Sequence, residues 1–293
     1  MYRIHSSIIF VLFLFFLFLP INTISFAEEL PKEMKVHFID VGQGDSIYIQ
    51  TPNDKHILID GGRPEYGKKV VSYLEKQNVD KLDVMIATHP DYDHIGGLIE
   101  VMKQFEVEHI IDSGKMHNTK TYGRYLNEIR KQDSLFNLAI ENESIDIDYD
   151  LKIKILNTHD KGKNNNQASI VLKITYQDIS FLLMGDIERK QEKHLIKKFD
   201  VKADIIKVAH HGSKTSSSME FLKEVDPKVA LLTYKKRNRF GHPVDRVITN
   251  LNKLDTHIYS TAVFGNIVIH TNGEDYYIHT EKNPSEGILE ETG

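Results

Sequence analysis

Within six residues the chain reads His89-Pro-Asp91-Tyr-Asp93-His94, and Ile-Gly-Gly follows at once. Two imidazoles and two carboxylates thus stand at the end of an apolar run, 82–87, and at the start of a helical pattern. Asp and His belong mostly on surfaces, and a solvated turn rarely gathers four metal-capable side chains in this order. A strand end that feeds a helix instead aims several ligands at one point. Two further polar groups follow apolar runs in the same way. Asp186 comes after Phe181-Leu-Leu-Met-Gly185, and His210-His211 come after 203–209. Taken alone, Asp186 reads as a helix cap and a strand-end His as a hydrogen-bonded core residue. Beside the first cluster they read as a metal bridge and a further ligand. Neighbours on an extended backbone project to opposite sides. One imidazole of the pair, His210, is therefore expected to face the metal, with His211 behind it or toward substrate. Counted this way the donors are His89, Asp91, Asp93, His94, Asp186 and one of the pair. That set exceeds one tetrahedral zinc and suits two ions that share a carboxylate. The reaction class is metal-assisted hydrolysis. The chain has no Cys, so no thiolate takes part.

The elements that must position these groups alternate between short β-branched runs and amphipathic helices. Strands are expected at 34–39, 46–50, 55–59, 82–87 and 107–111, with helices at 68–77, 95–105 and 122–131. The first three strands, separated by Gly and Pro/Asn turns, suggest antiparallel meanders. The second half follows the same pattern, with strands at 145–155, 169–176, 179–184, 203–209 and 228–233 and a hairpin turned at Gln177-Asp178. Helices at 188–198, 218–225 and 244–254 accompany them, and terminal strands around Ile267 and Tyr277 finish the chain. Two similar halves fit an α+β sandwich of two packed sheets with helices outside. No linker divides residues 34–280, and the acidic tail 281–293 reads as frayed.

Composition bounds the function. Forty per cent apolar and 27% charged residues describe a globular protein. The net charge of −5 offers no overall basic platform for nucleic acid. The run Lys235-Lys-Arg-Asn-Arg239 is the exception, read either as a solvated face or as a local anion contact. Residues 1–27 read as a secretion signal, with Arg3, the apolar stretch 8–19, and Ser25-Phe-Ala27 before the cleavage point. The stretch is shorter than the roughly 20 residues that cross a bilayer. The mature protein is therefore expected to be secreted, and to meet a membrane only if this segment is retained.

His89-x-Asp91-x-Asp93-His94 with Gly96-Gly97 resembles the signature of the metallo-β-lactamase superfamily. More narrowly, Asp40-Val-Gly-Gln-Gly-Asp45, Leu58-Ile-Asp-Gly-Gly62, Asn165-Asn-Gln-Ala-Ser169, Met184-Gly-Asp186, His210-His-Gly-Ser-Lys-Thr-Ser-Ser217 and Phe240-Gly-His-Pro243 resemble the β-lactamase-like domain of ComEC/Rec2 competence proteins. The resemblance implies an αββα sandwich with a dinuclear site at its edge. By motif, the first ion would draw on His89 and Asp91 and the second on Asp93, His94 and His210, with Asp186 bridging. Asp93 would also orient the nucleophilic water. Asp91 stands where most members have His, and the usual third-motif His is absent from 164–169. More oxygen donors favour manganese or a similar hard ion beside zinc. His242 resembles a late-loop His that serves as general acid or phosphate contact. Ser213 and Lys214, with the free amides ahead of the 218–225 helix, could hold an anion. The implied activity is that of a phosphodiesterase or nuclease acting on a phosphodiester substrate such as DNA. Other readings are hydrolysis of a phosphocholine or cell-wall ester or of a lactone, and a metal-binding scaffold without turnover. No transmembrane channel accompanies the domain, so DNA uptake by this chain alone is not expected.

Overall fold

The structure is a computed structural model that describes residues 32–159 and 164–283. The expected signal at 1–27 and the tail from 284 onward lie outside the described residues. The described residues form one compact unit.

The larger sheet has eight strands in the order β14-β13-β1-β2-β3-β4-β5-β6. Its members are β1 (Met34–Phe38), β2 (Ile47–Gln50), β3 (His56–Ile59), β4 (Lys81–Ala87), β5 (Glu106–Asp112), β6 (Leu135–Leu138), β13 (Ile267–Thr271) and β14 (Tyr276–Thr280). The smaller sheet runs β12-β11-β10-β9-β8-β7. It contains β7 (Leu151–Asn157), β8 (Val171–Tyr176), β9 (Ile179–Leu183), β10 (Ile205–Lys207), β11 (Val229–Leu232) and β12 (His257–Ser260). The expected meander holds for β1 to β3, which pair antiparallel. From β3 through β6 and from β9 through β12 the pairing is parallel. Parallel strands need both faces covered, which is why these read as continuous apolar runs.

Alternation sorts the side chains into layers. Ile57, Ile59, Val84, Ile86, Phe181, Leu183 and Ile205 fill the space between the sheets. Leu58, Met85 and Ala87 face the other way, against Val70 and Leu74 of α1 (Gly67–Lys76) and Leu98 and Met102 of α3 (Leu98–Gln104). On the far side Leu182, Ile206 and Ala230 meet Leu195 of α5 (Arg189–Lys198), Phe221 of α6 (Met219–Val225) and Leu251 of α7 (Asp245–Asn252). The result is the expected αββα sandwich. The helix expected at 95–105 is interrupted. α2 (Tyr92–Ile95) ends, and α3 starts only after Gly96-Gly97. A Cβ at Gly97 would stand 1.9 Å from the Gly61 carbonyl, so this pair lets the helix entry press onto the loop after β3. Between β5 and β6 lies α4 (Lys120–Ile129), and α8 (Thr261–Phe264) follows β12.

Candidate metal centre

Three strand ends deliver the site. β4 runs into His89, and the single turn of α2 carries Asp91 at its N-terminal flank, then Asp93 and His94. β9 ends in a turn through Gly185, φ 51°, that sets down Asp186. β10 ends in a 3-10 turn, Ala209–Gly212, holding His210 and His211. β4 belongs to one sheet and β9 and β10 to the other, so the site closes one edge of the sandwich across both.

Asp186 is the hub. Its Oδ2 lies 3.4 Å from His94 Nε2, 3.6 Å from His211 Nε2, 3.7 Å from His210 Nε2 and 3.9 Å from His89 Nε2. His89 Nε2 is also 3.7 Å from Asp91 Oδ2, and the ligand atoms of Asp93, His94 and His211 lie within 4.8 Å of one another. Donors held about 2.1 Å from a common ion are spaced in this way, whereas good hydrogen bonds are shorter.

The opposite ring nitrogens are fixed. His94 Nδ1 is 2.8 Å from Asp60 Oδ2 and His211 Nδ1 is 2.7 Å from the Thr233 carbonyl. His89 Nδ1 is 3.1 Å from the Thr88 hydroxyl, which itself donates to Asp60 at 2.6 Å. Each contact calls for a proton on Nδ1 and leaves the Nε2 lone pair free. Those Nε2 atoms of His89, His94 and His211, and Asp186 Oδ1, are buried without a hydrogen-bond partner among the described residues. Each orphaned buried group costs about 1–3 kcal/mol, which a bound divalent cation would remove. The donor set fits a metal centre.

Electrostatics agrees at His89 and His211 and differs at His94. Burial pushes His89 and His211 down to about 4, which keeps them neutral as ligands must be. Burial also opposes charge on His94, but Asp186 and Asp60 outweigh it and hold its pKa well above the usual value, so a cation bound there would have to displace a proton from its Nε2. Burial would raise Asp186, yet His211, His210 and His94 hold it well below the carboxylate range. Burial pushes Asp93 up to about 6.

The sequence model of the metallo-β-lactamase superfamily matches residues 39–234. The chain belongs to the metallo-β-lactamase superfamily. It is 30% identical over 258 residues to ComE operon protein 3 of Bacillus subtilis, covering 81% of this chain and 33% of that protein. It is 28% identical over 252 residues to Recombination protein 2 of Haemophilus influenzae, covering 84% and 30%. Competence protein ComA of Neisseria gonorrhoeae is 29% identical over 227 residues, with coverage of 75% and 30%. The chain thus spans about a third of the length of these relatives. Among solved structures, the metallo-β-lactamase fold protein YhfI of Bacillus subtilis aligns with a TM-score of 0.56 at 14% identity, over 82% of this chain and 100% of that one. It shares the fold.

The metallo-β-lactamase frame gathers His89, Asp91, Asp93, His94, Asp186, His210 and His211 at one edge, but the histidine pair differs from the alternation argument. His210 and His211 have φ of 52° and 56°, so their backbone is left-handed and not extended. Both Nε2 atoms turn toward Asp186. His211 is the inner one, buried and braced by Thr233, and it joins Asp93 and His94. His210, 20% exposed, lies outward with its ring 5.5 Å from that of His242. The Ser213 hydroxyl is buried 3.1 Å from that of Thr215, while Lys214 is exposed. The expected anion position ahead of α6 is already filled. The Glu192 carboxylate accepts from the amides of Ser217 and Ser218 and from the Ser218 hydroxyl, which caps Phe221 N–H. Residues 164–169 supply amides and a hydroxyl where an imidazole is usual: Asn165 Nδ2 donates to Asp91 Oδ1 at 2.6 Å, and Ser169 Oγ accepts from Asp186 N–H at 3.1 Å. Asp45, Asp60, Thr233 and Lys207 received no role from sequence. Their signals were a carboxylate next to paired glycines and a lone Lys in an apolar strand.

Proposed function

We propose that the chain is an exported metal-dependent phosphodiesterase of nuclease type, with two divalent ions, Zn or Mn, at the Asp186 centre. The observation that carries this is the ring of buried, unpartnered Nε2 atoms around one carboxylate. His89 and Asp91 would hold one ion and Asp93, His94 and His211 the other, with Asp186 between them and His210 at the outer side. When bound, the ions supply Lewis acidity and lower the pKa of water. Asp93, beside His94 and His211, accepts the proton of the attacking water. His242 has its pKa lowered by burial and by His210, so it is neutral and suits a hydrogen bond to a phosphate oxygen.

The rim supports a polyanionic substrate. Lys235, Lys236, Arg237 and Arg239 are exposed, and none forms an ion pair among the described residues. Phe240, 44% exposed, stacks on His242 with ring centres 5.6 Å apart, and the Arg239 guanidinium lies 5.0 Å from the Phe240 ring centre. Unpaired cations beside an exposed ring suit a phosphate backbone and a base, against the acidic net charge of the rest of the chain. Relatives named for competence and recombination point the same way.

The test offers purified mature protein single- and double-stranded DNA, RNA, bis-p-nitrophenyl phosphate and nitrocefin, with manganese, zinc or EDTA. Metal-dependent cleavage of phosphodiesters without nitrocefin turnover is expected. If no phosphodiester is cleaved with either metal, the proposal fails.

A further inference from the structure

Lys207 is 1% exposed and is the one buried Lys or Arg among the described residues. It closes β10, where Ile205 faces the space between the sheets and Ile206 faces the helices. Alternation therefore turns Lys207 inward as well. Its Nζ lies 2.5 Å from Asp45 Oδ2, and Asp45 comes from the β1–β2 loop of the other sheet. The Thr233 hydroxyl donates to Asp45 Oδ1 at 2.5 Å, and the Thr233 carbonyl is the group that fixes His211. Asp45 also stands 3.8 Å from His94 Nδ1 and 3.5 Å from His211 Nδ1. One carboxylate thus faces the Nδ1 edge of both imidazoles.

Stability alone is a poor reason for this pair. Replacing a buried ion pair by apolar side chains of similar volume is often neutral or stabilising, and Ile205 shows that an apolar residue suits this face of β10. Asp45 also groups with Asp60 and His94, and with Asp186 and His211, closely enough to hold a cation. The Lys207 ammonium supplies a cation there from within the chain.

We propose that Lys207 and Asp45 are positioning residues: the ammonium anchors Asp45 between the sheets, and Asp45 keeps the Nδ1 protons of His94 and His211 in place so that both Nε2 lone pairs face Asp186. This rests on the metal-centre reading above. Asp45 acts on His211 through Thr233 and on both rings through its charge. Lys207 prevents Asp45 from becoming a ligand itself.

The test uses the full mature chain as wild type, Lys207→Met, Asp45→Asn, the double variant and Thr233→Val. Melting of the metal-free protein and manganese and zinc affinity by chelator competition are both measured. Each single charge change is expected to lower both the melting temperature and the affinity, the latter about 10–100-fold. The double variant leaves neither charge alone, so its metal-free melting temperature recovers while its affinity stays low. Thr233→Val keeps the ion pair, melts near wild type and loses affinity several-fold. Recovery of affinity together with stability in the double variant would reduce the pair to a structural contact and overturn the proposal. So would unchanged affinity in Thr233→Val. Absence of metal binding by wild type would instead remove the metal-centre reading itself, and the positioning role with it.

Discussion

His94 and Asp91 sit three residues apart at the same site, His94 beside Asp186 and Asp91 beside His89, yet their surroundings are opposite. His94 is fully buried, its Nδ1 is held by Asp60, and its carbonyl accepts from Gly61 N–H at 2.7 Å. Asp60 is in turn fixed by the Thr88 amide at 2.9 Å and the Thr88 hydroxyl. Asp91 has a 31% exposed side chain, with the Asn165 amide as its one close hydrogen-bond partner among the described residues. The inner half of the centre is organised by the fold, from both sheets. In the outer half the buried His89 is braced by Thr88, but Asp91 is held by one side-chain amide and by whatever it binds. The two metal positions proposed above are therefore expected to differ in affinity, with the inner one filling first.

The largest effect belongs to the residue both halves share. Asp186→Ala is expected to abolish turnover and remove both ions while the circular dichroism of the fold persists; retained activity would displace Asp186 from the centre. Asp93→Ala should follow, with a loss of about 10²–10⁴-fold in kcat for a removed proton acceptor and weaker binding of the ion that it shares with His94 and His211. Asp60→Asn attacks the inner brace at His94 and, through Thr88, at His89. Metal affinity should fall about 10–100-fold, read by chelator competition. Asp91→Ala should take bound metal from two ions to one while the tighter affinity stays near wild type. Loss of the tighter ion instead would reverse the comparison.

The same contrast separates what was legible in the sequence from what was not. The donors were legible because each sits at the end of an apolar strand, where a solvated cluster has no other reason to gather. The inward turn of His211 was not, because it depends on two consecutive left-handed residues that neither side chain announces. Sheet direction beyond β3 is a tertiary fact: a continuous apolar run marks a strand covered on both faces, not the direction in which its neighbour runs. Glu192 reaches the start of α6 from 25 residues upstream, so a stretch that reads as open amides is closed by a distant carboxylate. Lys207 hid inside Ile205-Ile206-Lys207-Val208, since its partner Asp45 lies in the other sheet.

The smallest effect on the centre, and the one that tests what holds a buried imidazole, comes from His37. Like His94 it is buried, here in β1 of the larger sheet, but its Nδ1 faces the Tyr73 hydroxyl at 2.9 Å and not a carboxylate. Burial, with His270 adding repulsion, lowers its pKa to about 3, opposite in direction to His94. A lowered folded-state pKa means that the unfolded chain binds this proton first as pH falls. The stability contributed by neutral His37 is thus fully present above pH about 6.5 and is lost toward pH about 3, at up to about 1.4 kcal/mol per pH unit. His37→Phe keeps the ring contacts with Tyr48 and Tyr73 and removes the titration. Urea unfolding of the metal-free proteins from pH 7 down to about pH 4 should show wild type losing stability more steeply than the variant. Parallel acid limbs would mean that His37 is not held neutral by burial, and that a carboxylate partner is not what distinguishes His94.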